Sequence, residues 1–281
     1  MTDRHIEVSE PETWRYEGIV LLGPTGSGKT PLGQLMAERG IWGRRCVHFD
    51  FGALLRRIAF LEASAHQPHP LSPSGPGTNM GSRGSDPPKE NRTPTLLTGS
   101  SPCAGYFTAQ EREFIRQVLR SGVLLEDKDF PLAVKILKYF LVLEGLQGPE
   151  LLQQPPAQPW PKPGNAQAAV WMVLNGLPRH VGQAEALKAW VDVQAVVHLD
   201  CPAEQVLQRL RSNVGGDRHG RTDDDLPSVQ AKLAIYQART QPLIDYYQSR
   251  AVPIVRLPVT ATMTPAEAWE QLQAHNPRPT P

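Results

Sequence analysis

The chain has 281 residues, of which 20% are charged, with a formal net charge of +1 at pH 7. That length accommodates one large or two modest domains with a proper core, and the near-neutral balance advertises neither nucleic acid nor an acidic membrane surface as a partner. Cys46, Cys103 and Cys201 lie far apart with no CxxC pair, which argues against a disulfide framework or a zinc knuckle and fits a reducing compartment. Residues 1–17 are polar and charged, unlike a secretory leader, and no apolar run is long enough to span a bilayer. A cytoplasmic protein, acting as a monomer, is expected. The 28 prolines are clustered rather than spread.

In chain order, Gly18 to Leu22 reads Gly-Ile-Val-Leu-Leu, an apolar run before Gly-Pro that predicts a buried strand. Helical spacing follows from Lys29 to about Arg39, with Gly40 as its stop. A second strand is predicted over Cys46 to Phe49, ending at Asp50, then a helix from Ala53 to about Ala63. Residues 67–94 are rich in Pro, Ser, Gly and Asn and nearly lack large apolar side chains. Such a stretch cannot bury enough surface to offset its ordering entropy, so a flexible, disordered insertion is expected there. Thr108 to Arg120 resumes as a helix, with Thr108 and Glu111 spaced as a capping box. Phe130 to Leu143 is another helix, and a second proline-rich stretch, 148–167, is expected to be a flexible connector.

A third strand is predicted over Ala168 to Leu174, a helix over Gln183 to Trp190, and a fourth strand over Ala195 to Leu199. Pro202 suits the first turn of a helix from Ala203 to Arg211. After a loop at Gly215 to Gly220 come a long helix from Leu226 to Arg250, interrupted near Pro242, a fifth strand over Val252 to Leu257, and a last helix over Pro265 to Ala274. No internal repeat is visible. Strands alternating with helices predict an α/β fold, a five-stranded parallel sheet covered by helices on both faces. Ligands on such sheets bind at the carboxyl ends of the strands.

At the first of those ends, Gly23-Pro-Thr25-Gly26-Ser27-Gly28-Lys29-Thr30 satisfies GxxxxGK[ST], with a strand before it and a helix after. The glycines let backbone N–H groups approach phosphate oxygens, and the helix N-terminus adds favourable potential. Lys29 would reach the outer phosphates and Thr30 would ligate Mg²⁺, so a P-loop NTPase of three-layer α/β/α architecture is expected. The loop alone names no reaction. Joining a donor to an acceptor phosphate needs several cations, and arginine's planar fork suits the task. Arg56 follows the second strand, Arg179 the third, and Arg218 and Arg221 lie in the loop before the long helix.

Asn175-Gly-Leu-Pro-Arg-His-Val-Gly-Gln183-Ala-Glu-Ala-Leu, Val197 to Leu210, Gly220-Arg-Thr-Asp-Asp224 and Leu233 to Tyr247 follow one another in the order seen in adenylate kinases and related nucleoside monophosphate kinases. The chain resembles that family from Val170 to about Val255, at the P-loop and, more loosely, from Asp50 to Arg57. The resemblance implies a single kinase domain over 1–281, with a small helical acceptor-binding region within 51–145 and a short lid over 212–222. It implies ATP, with Mg²⁺, as donor and a nucleoside monophosphate as acceptor, the class of phosphotransferases with a phosphate acceptor. Lys29 would hold the donor phosphates, Arg209 would stack on the donor base, and Arg56 and Arg179 would grip the acceptor phosphate. Gly52 and Leu125 would adjoin the acceptor, and Gln183 would hydrogen-bond its base. Arg221, with Arg218, would close over the transferring group, oriented by Asp223 and Asp224. Lid closure would exclude water.

Three positions depart from the family. Asn175 stands where the family has an aspartate that helps position hydrated Mg²⁺, Phe51 replaces a threonine that meets the acceptor, and the loop continues Lys-Thr-Pro rather than Lys-Gly-Thr. Asp50, ending the second strand, could supply the missing carboxylate through water or contact an acceptor hydroxyl. A kinase of a hydroxyl-bearing metabolite and a nucleotide-binding regulator with weakened catalysis therefore stay open beside the monophosphate kinase. A prenyl-transferring enzyme of RNA shares the Gly-Pro-Thr-x-Ser-Gly-Lys-Thr opening, but the neutral charge and the later segments argue against it.

Overall fold

A computed structural model describes residues 14–60, 105–155, 158, 160–162, 164–217 and 225–277. The expected insertion at 67–94 lies outside the described residues. In chain order the elements are β1 (Tyr16–Leu22), α1 (Lys29–Arg39), β2 (Cys46–Asp50), α2 (Phe51–Ala59), α3 (Ala109–Ser121), α4 (Phe130–Leu143), α5 (Asn165–Ala168), β3 (Trp171–Asn175), α6 (Val181–Leu187), β4 (Val191–Asp200), α7 (Ala203–Ser212), α8 (Leu226–Ile235), α9 (Leu243–Gln248), β5 (Ile254–Pro258) and α10 (Pro265–Ala274). The five strands form one wholly parallel sheet in the order β2-β3-β1-β4-β5. From β1 the chain goes to the edge strand β2, returns inward to β3, and then crosses to the other side of β1 for β4 and β5. The crevice beyond β1's carboxyl end is therefore the natural ligand site of such a sheet.

Because successive strand residues face opposite ways, β1 feeds two cores. Ile19 and Leu21 join Leu32 and Met36 of α1, Val206 of α7, Val229 of α8 and Leu272 of α10 on one face. Val20 and Leu22 join Leu54 of α2, Ile115 of α3, Leu137 of α4, Ala184 of α6 and Leu243 of α9 on the other. A sheet buried on both faces explains why the strands read as continuous apolar runs, and it is the three-layer α/β architecture of P-loop kinases. No helix among the described residues is long and apolar enough to cross a membrane.

Local chemistry sets most boundaries. Gly40 closes α1 in a positive-φ turn, its N–H donating to the Met36 carbonyl. Thr108 and Glu111 form the expected capping box at the start of α3, and Gly122, at φ 66°, ends that helix. Several predicted segments differ, four of them for reasons visible in the structure. Asn165–Ala168 makes a helical turn, so β3 begins only at Trp171. The His180 ring accepts from the Gln183 N–H, starting α6 two residues early. β4 extends back to Val191, where Gln194 Nε2 satisfies the Asp192 carboxylate at 2.7 Å. The long helix predicted over Leu226 to Arg250 is three pieces: α8, a π-turn over Tyr236–Thr240, and α9 after Pro242.

The proline-rich stretch 148–167 is docked over its described residues rather than loose. Pro149–Gln153 is a 3₁₀ turn, and the buried Lys138 ammonium donates to the Gln154 and Pro155 carbonyls at 3.1 and 2.9 Å. Trp160, only 2% exposed, bridges to Trp14 and packs its ring 6.0 Å from Tyr16 and 4.9 Å from Trp190. A segment poor in large apolar residues is thus pinned by one indole, by the fully buried Leu151 and by bonds to its own carbonyls. Cys46 and Cys201 are free and buried; burial pushes their thiols up to about 12 and about 11, so neither is a thiolate nucleophile near neutral pH.

Trp160→Ala is expected to lower the unfolding free energy by about 3–5 kcal/mol, the usual cost of truncating a buried aromatic, in urea melts followed by circular dichroism. A midpoint unchanged from the parent would mean that this segment is not part of the core.

Candidate functional site

Between β1 and α1 the chain turns through Gly23 at φ 151°, Gly26 at φ 76° and Gly28 at φ 93°. A Cβ at Gly23 would lie 2.8 Å from both the Leu199 carbonyl oxygen and Ser27 Oγ, so the loop needs glycine there. Gly28 caps α1 without any side chain bonding the first-turn amides, which leaves those N–H groups pointing at an anion's place. Lys29 folds back over the loop, its ammonium donating to the Gly23 and Pro24 carbonyls at 2.7 and 2.6 Å.

The next layer is a small polar seam. Strand register sets Asp50 of β2 beside Asn175 of β3, and Asn175 beside Leu21 of β1. Thr30 Oγ1 donates to Asp50 Oδ2 at 2.7 Å, and Asn175 Nδ2 donates to Thr30 Oγ1 at 2.9 Å and to Asp50 Oδ2 at 3.1 Å. The other carboxylate oxygen, Oδ1, accepts from the Ala53 N–H at 2.8 Å and caps α2. Among the described residues no cluster of three or more His, Cys, Asp or Glu could hold a metal alone. The donor set here, a hydroxyl, a carboxylate and an amide oxygen beside a phosphate loop, is oxygen-only and suits a hard divalent cation that arrives with phosphates.

Opposite the loop stand two arginines. Arg56 projects from the second turn of α2, and its guanidinium lies near Gly52. Arg179 follows Pro178, and its backbone is held at both ends: its N–H donates to Gln183 Oε1 at 2.7 Å and its carbonyl accepts from Thr240 Oγ1 at 2.8 Å. Neither guanidinium has a hydrogen-bonding or ionic partner among the described residues, and burial holds Arg179 below the ordinary arginine pKa. An arginine so placed is poised for an anion, since a desolvated cation without a counter-charge is costly. A cavity of about 240 Å³ joins these groups, with Gly23, Thr25, Gly26, Gly28, Lys29, Thr30, Asp50, Gly52, Arg56, Asn175 and Arg179 on its wall.

Three residues expected at the ligand lie elsewhere. Gln183 is 1% exposed, and its amide is consumed internally, Nε2 donating to the Leu125 carbonyl at 2.8 Å. Leu125 is buried, and its carbonyl also pairs with His180 Nε2 at 3.1 Å, so both sit behind the wall and brace Arg179. Arg209 does not stretch over a base. It is 5% exposed, with Nε donating to the Gly26 carbonyl at 3.1 Å and Nη1 to the Thr260 and Met263 carbonyls at 2.7 and 2.8 Å. Burial favours a guanidinium that saturates itself on carbonyls over one held in open space. Phe51 likewise turns into the core, stacking 5.9 Å from Phe49. Arg218, Arg221, Asp223 and Asp224 lie outside the described residues.

Other wall residues carried no functional signal in the sequence. Val118, Leu119 and Val123 at the end of α3 supply an apolar side, and Asp217, Lys232, Tyr236 and Thr240 supply a polar one. Lys232, Tyr236 and Thr240 recur every four residues, which places them along one helical face; that spacing was the available hint.

No family profile matches the chain. Sequence comparison finds an adenylate kinase of Streptomyces griseus, 33% identical over 142 residues, covering 39% of this chain and 64% of that protein. Adenylate kinases of Phocaeicola vulgatus and Leptospira biflexa are 35% identical over 83 residues and 34% over 92, covering 28% and 31% of this chain and 43% and 48% of those proteins. Over these stretches the chain is similar to adenylate kinases. It spans about half to just under two thirds of the length of these relatives. The chain presents a carboxylate on β2, at Asp50, beside an amide on β3, at Asn175.

Gln183→Leu is expected to lower stability by about 1–3 kcal/mol, because it strands the buried Arg179 N–H. Denaturant titration reads this directly; an unaltered midpoint would mean that the amide braces nothing.

Proposed function

We propose that the protein is a nucleoside monophosphate kinase, moving the terminal phosphoryl group of a magnesium-bound nucleoside triphosphate onto a monophosphate acceptor. The observation that carries this reading is the pair of guanidinium groups, Arg56 and Arg179, that face the phosphate loop across one cavity without protein counter-charges among the described residues.

In this reading the loop amides and Lys29 bind the donor phosphates, with the lysine leaving its two carbonyls for phosphate oxygens. Thr30, Asp50 and Asn175 hold the cation side of the site. The bound Mg²⁺ supplies charge neutralisation on the donor phosphates. Arg179, fixed through its backbone by Gln183 and Thr240, and Arg56 grip the acceptor phosphate and offset its repulsion of the donor. An ionised acceptor needs no general base, so positioning and electrostatics carry the rate. Arg218 and Arg221, oriented by Asp223 and Asp224, are proposed to close over the transferring group.

A second reading, transfer to a neutral hydroxyl, draws on the Asp50 carboxylate at the cavity wall, where a general base would stand. It is the weaker of the two. Asp50 already accepts from Thr30, Asn175 and Ala53 across both oxygens, which suits an orienting anion better than a base that must take up a proton.

The test is incubation with MgATP and AMP, CMP, UMP, GMP or dAMP, quantifying ADP and new diphosphates, with Lys29→Ala alongside. Diphosphate formation from one preferred monophosphate, abolished in Lys29→Ala, is the expected result; transfer only to hydroxyl compounds, or none, overturns it. Arg179→Met should reduce kcat/KM for that acceptor by about a hundredfold or more, the usual effect of removing one preorganised charge contact. The same change removes a desolvated cation, so the thermal midpoint should hold or rise.

A further inference from the structure

We infer that Asp50 mechanically couples the divalent cation to the acceptor grip, one carboxylate serving the cation side of the phosphate loop through Oδ2 and the N-terminus of α2 through Oδ1. The inference rests on the phosphoryl-transfer reading above and deepens it.

The two oxygens have different neighbours. Oδ2 meets Thr30 Oγ1 at 2.7 Å and Asn175 Nδ2 at 3.1 Å, at the end of the phosphate loop. Oδ1 accepts from Ala53 N at 2.8 Å and is the side-chain cap of α2. A carboxylate is planar and rigid, so a pull on one oxygen turns the other. The helix under that cap carries Gly52 and Arg56 to the cavity wall. Its N-terminus also favours the same negative charge that a cation does, so both demands are met by an ionised Asp50. Asn175 fits this arrangement because it donates. Its Nδ2 bridges Thr30 and Asp50 and fixes the carboxylate's orientation without adding a second negative charge. A cation drawn to Oδ2 therefore tightens the seat of α2 and with it Arg56, and by reciprocity an occupied acceptor site tightens cation binding.

Asp50→Asn separates the two roles, because asparagine caps a helix about as well as aspartate but lacks the charge. The probes are ADP, whose affinity is measured in EDTA, and Mn²⁺, whose affinity for the ADP complex is read by electron paramagnetic resonance. Hydrogen exchange of residues 51–59 reports on α2. In the parent protein, Mn²⁺ added to the ADP complex should slow exchange in 51–59. In Asp50→Asn, Mn²⁺ affinity should fall by about tenfold or more, the usual size of such orienting contacts, and the slowing should vanish, while ADP affinity in EDTA is kept. Asp50→Ala, which also loses the cap, should exchange faster in 51–59 even without metal. Parental Mn²⁺ affinity in Asp50→Asn, or no metal-dependent slowing in the parent, overturns the coupling while leaving the kinase reading intact. A parent that binds no ADP in EDTA overturns the kinase reading and the coupling with it.

Discussion

The register that sets Asp50 beside Asn175 at the ends of neighbouring parallel strands is the constraint on which the site depends. It brings one carboxylate, one amide and the Thr30 hydroxyl within hydrogen-bonding distance. β2 is thereby tied to β3, both are tied to the start of α1, and α2 is tied to all of them through its cap. A slip of one residue in that pairing would turn every side chain of β2 to the opposite face. The apolar residues of two cores hold the register, so the hydrophobic layers and the polar seam enforce each other.

The cations around the cavity are stored in two different ways. Lys29 is compensated in the absence of phosphate, parked on the carbonyls of its own loop, and gives those bonds up for a ligand. Among the described residues Arg179 is held by its backbone alone, with its half-buried charged end lacking a described counter-charge. The first arrangement stabilises the empty loop; the second stores unfavourable electrostatic free energy that an incoming anion relieves. A site built from both can keep a shaped phosphate loop and still present a strongly attractive opposite wall, at a cost that the two cores absorb.

Much of this was legible in the sequence because it rests on local chemistry. The glycines of the phosphate loop, the cap at Thr108 and the apolar runs of the strands each announce themselves within a few residues, and the order of elements led to the parallel sheet. What stayed hidden depends on tertiary partners. The π-turn at Tyr236–Thr240 carries the bond from Thr240 to the Arg179 carbonyl, and no periodicity encodes that. The family resemblance set Arg209 at the donor base but could not say that its guanidinium would saturate itself on three carbonyls. Gln183 and Leu125 were located in the right neighbourhood and assigned to the ligand, where they instead pair with each other one layer behind it. The stretch 148–167 read as loose because composition is blind to where a well-placed Leu151 and Trp160 will be buried.

Arg209 also makes a surface connection inflexible. Loops between a strand and a helix ordinarily vary in length at little cost, yet the one joining β5 to α10 supplies the Thr260 and Met263 carbonyls that receive this guanidinium, while its Nε reaches the Gly26 carbonyl of the phosphate loop. Inserting or deleting a residue there would re-aim two acceptors at once and leave a buried positive charge pulling on the loop's own backbone. Tolerance to sequence drift should therefore be low at a place far in sequence from the cavity and on its outer side, and a graft or circular permutation would do better to open the chain elsewhere.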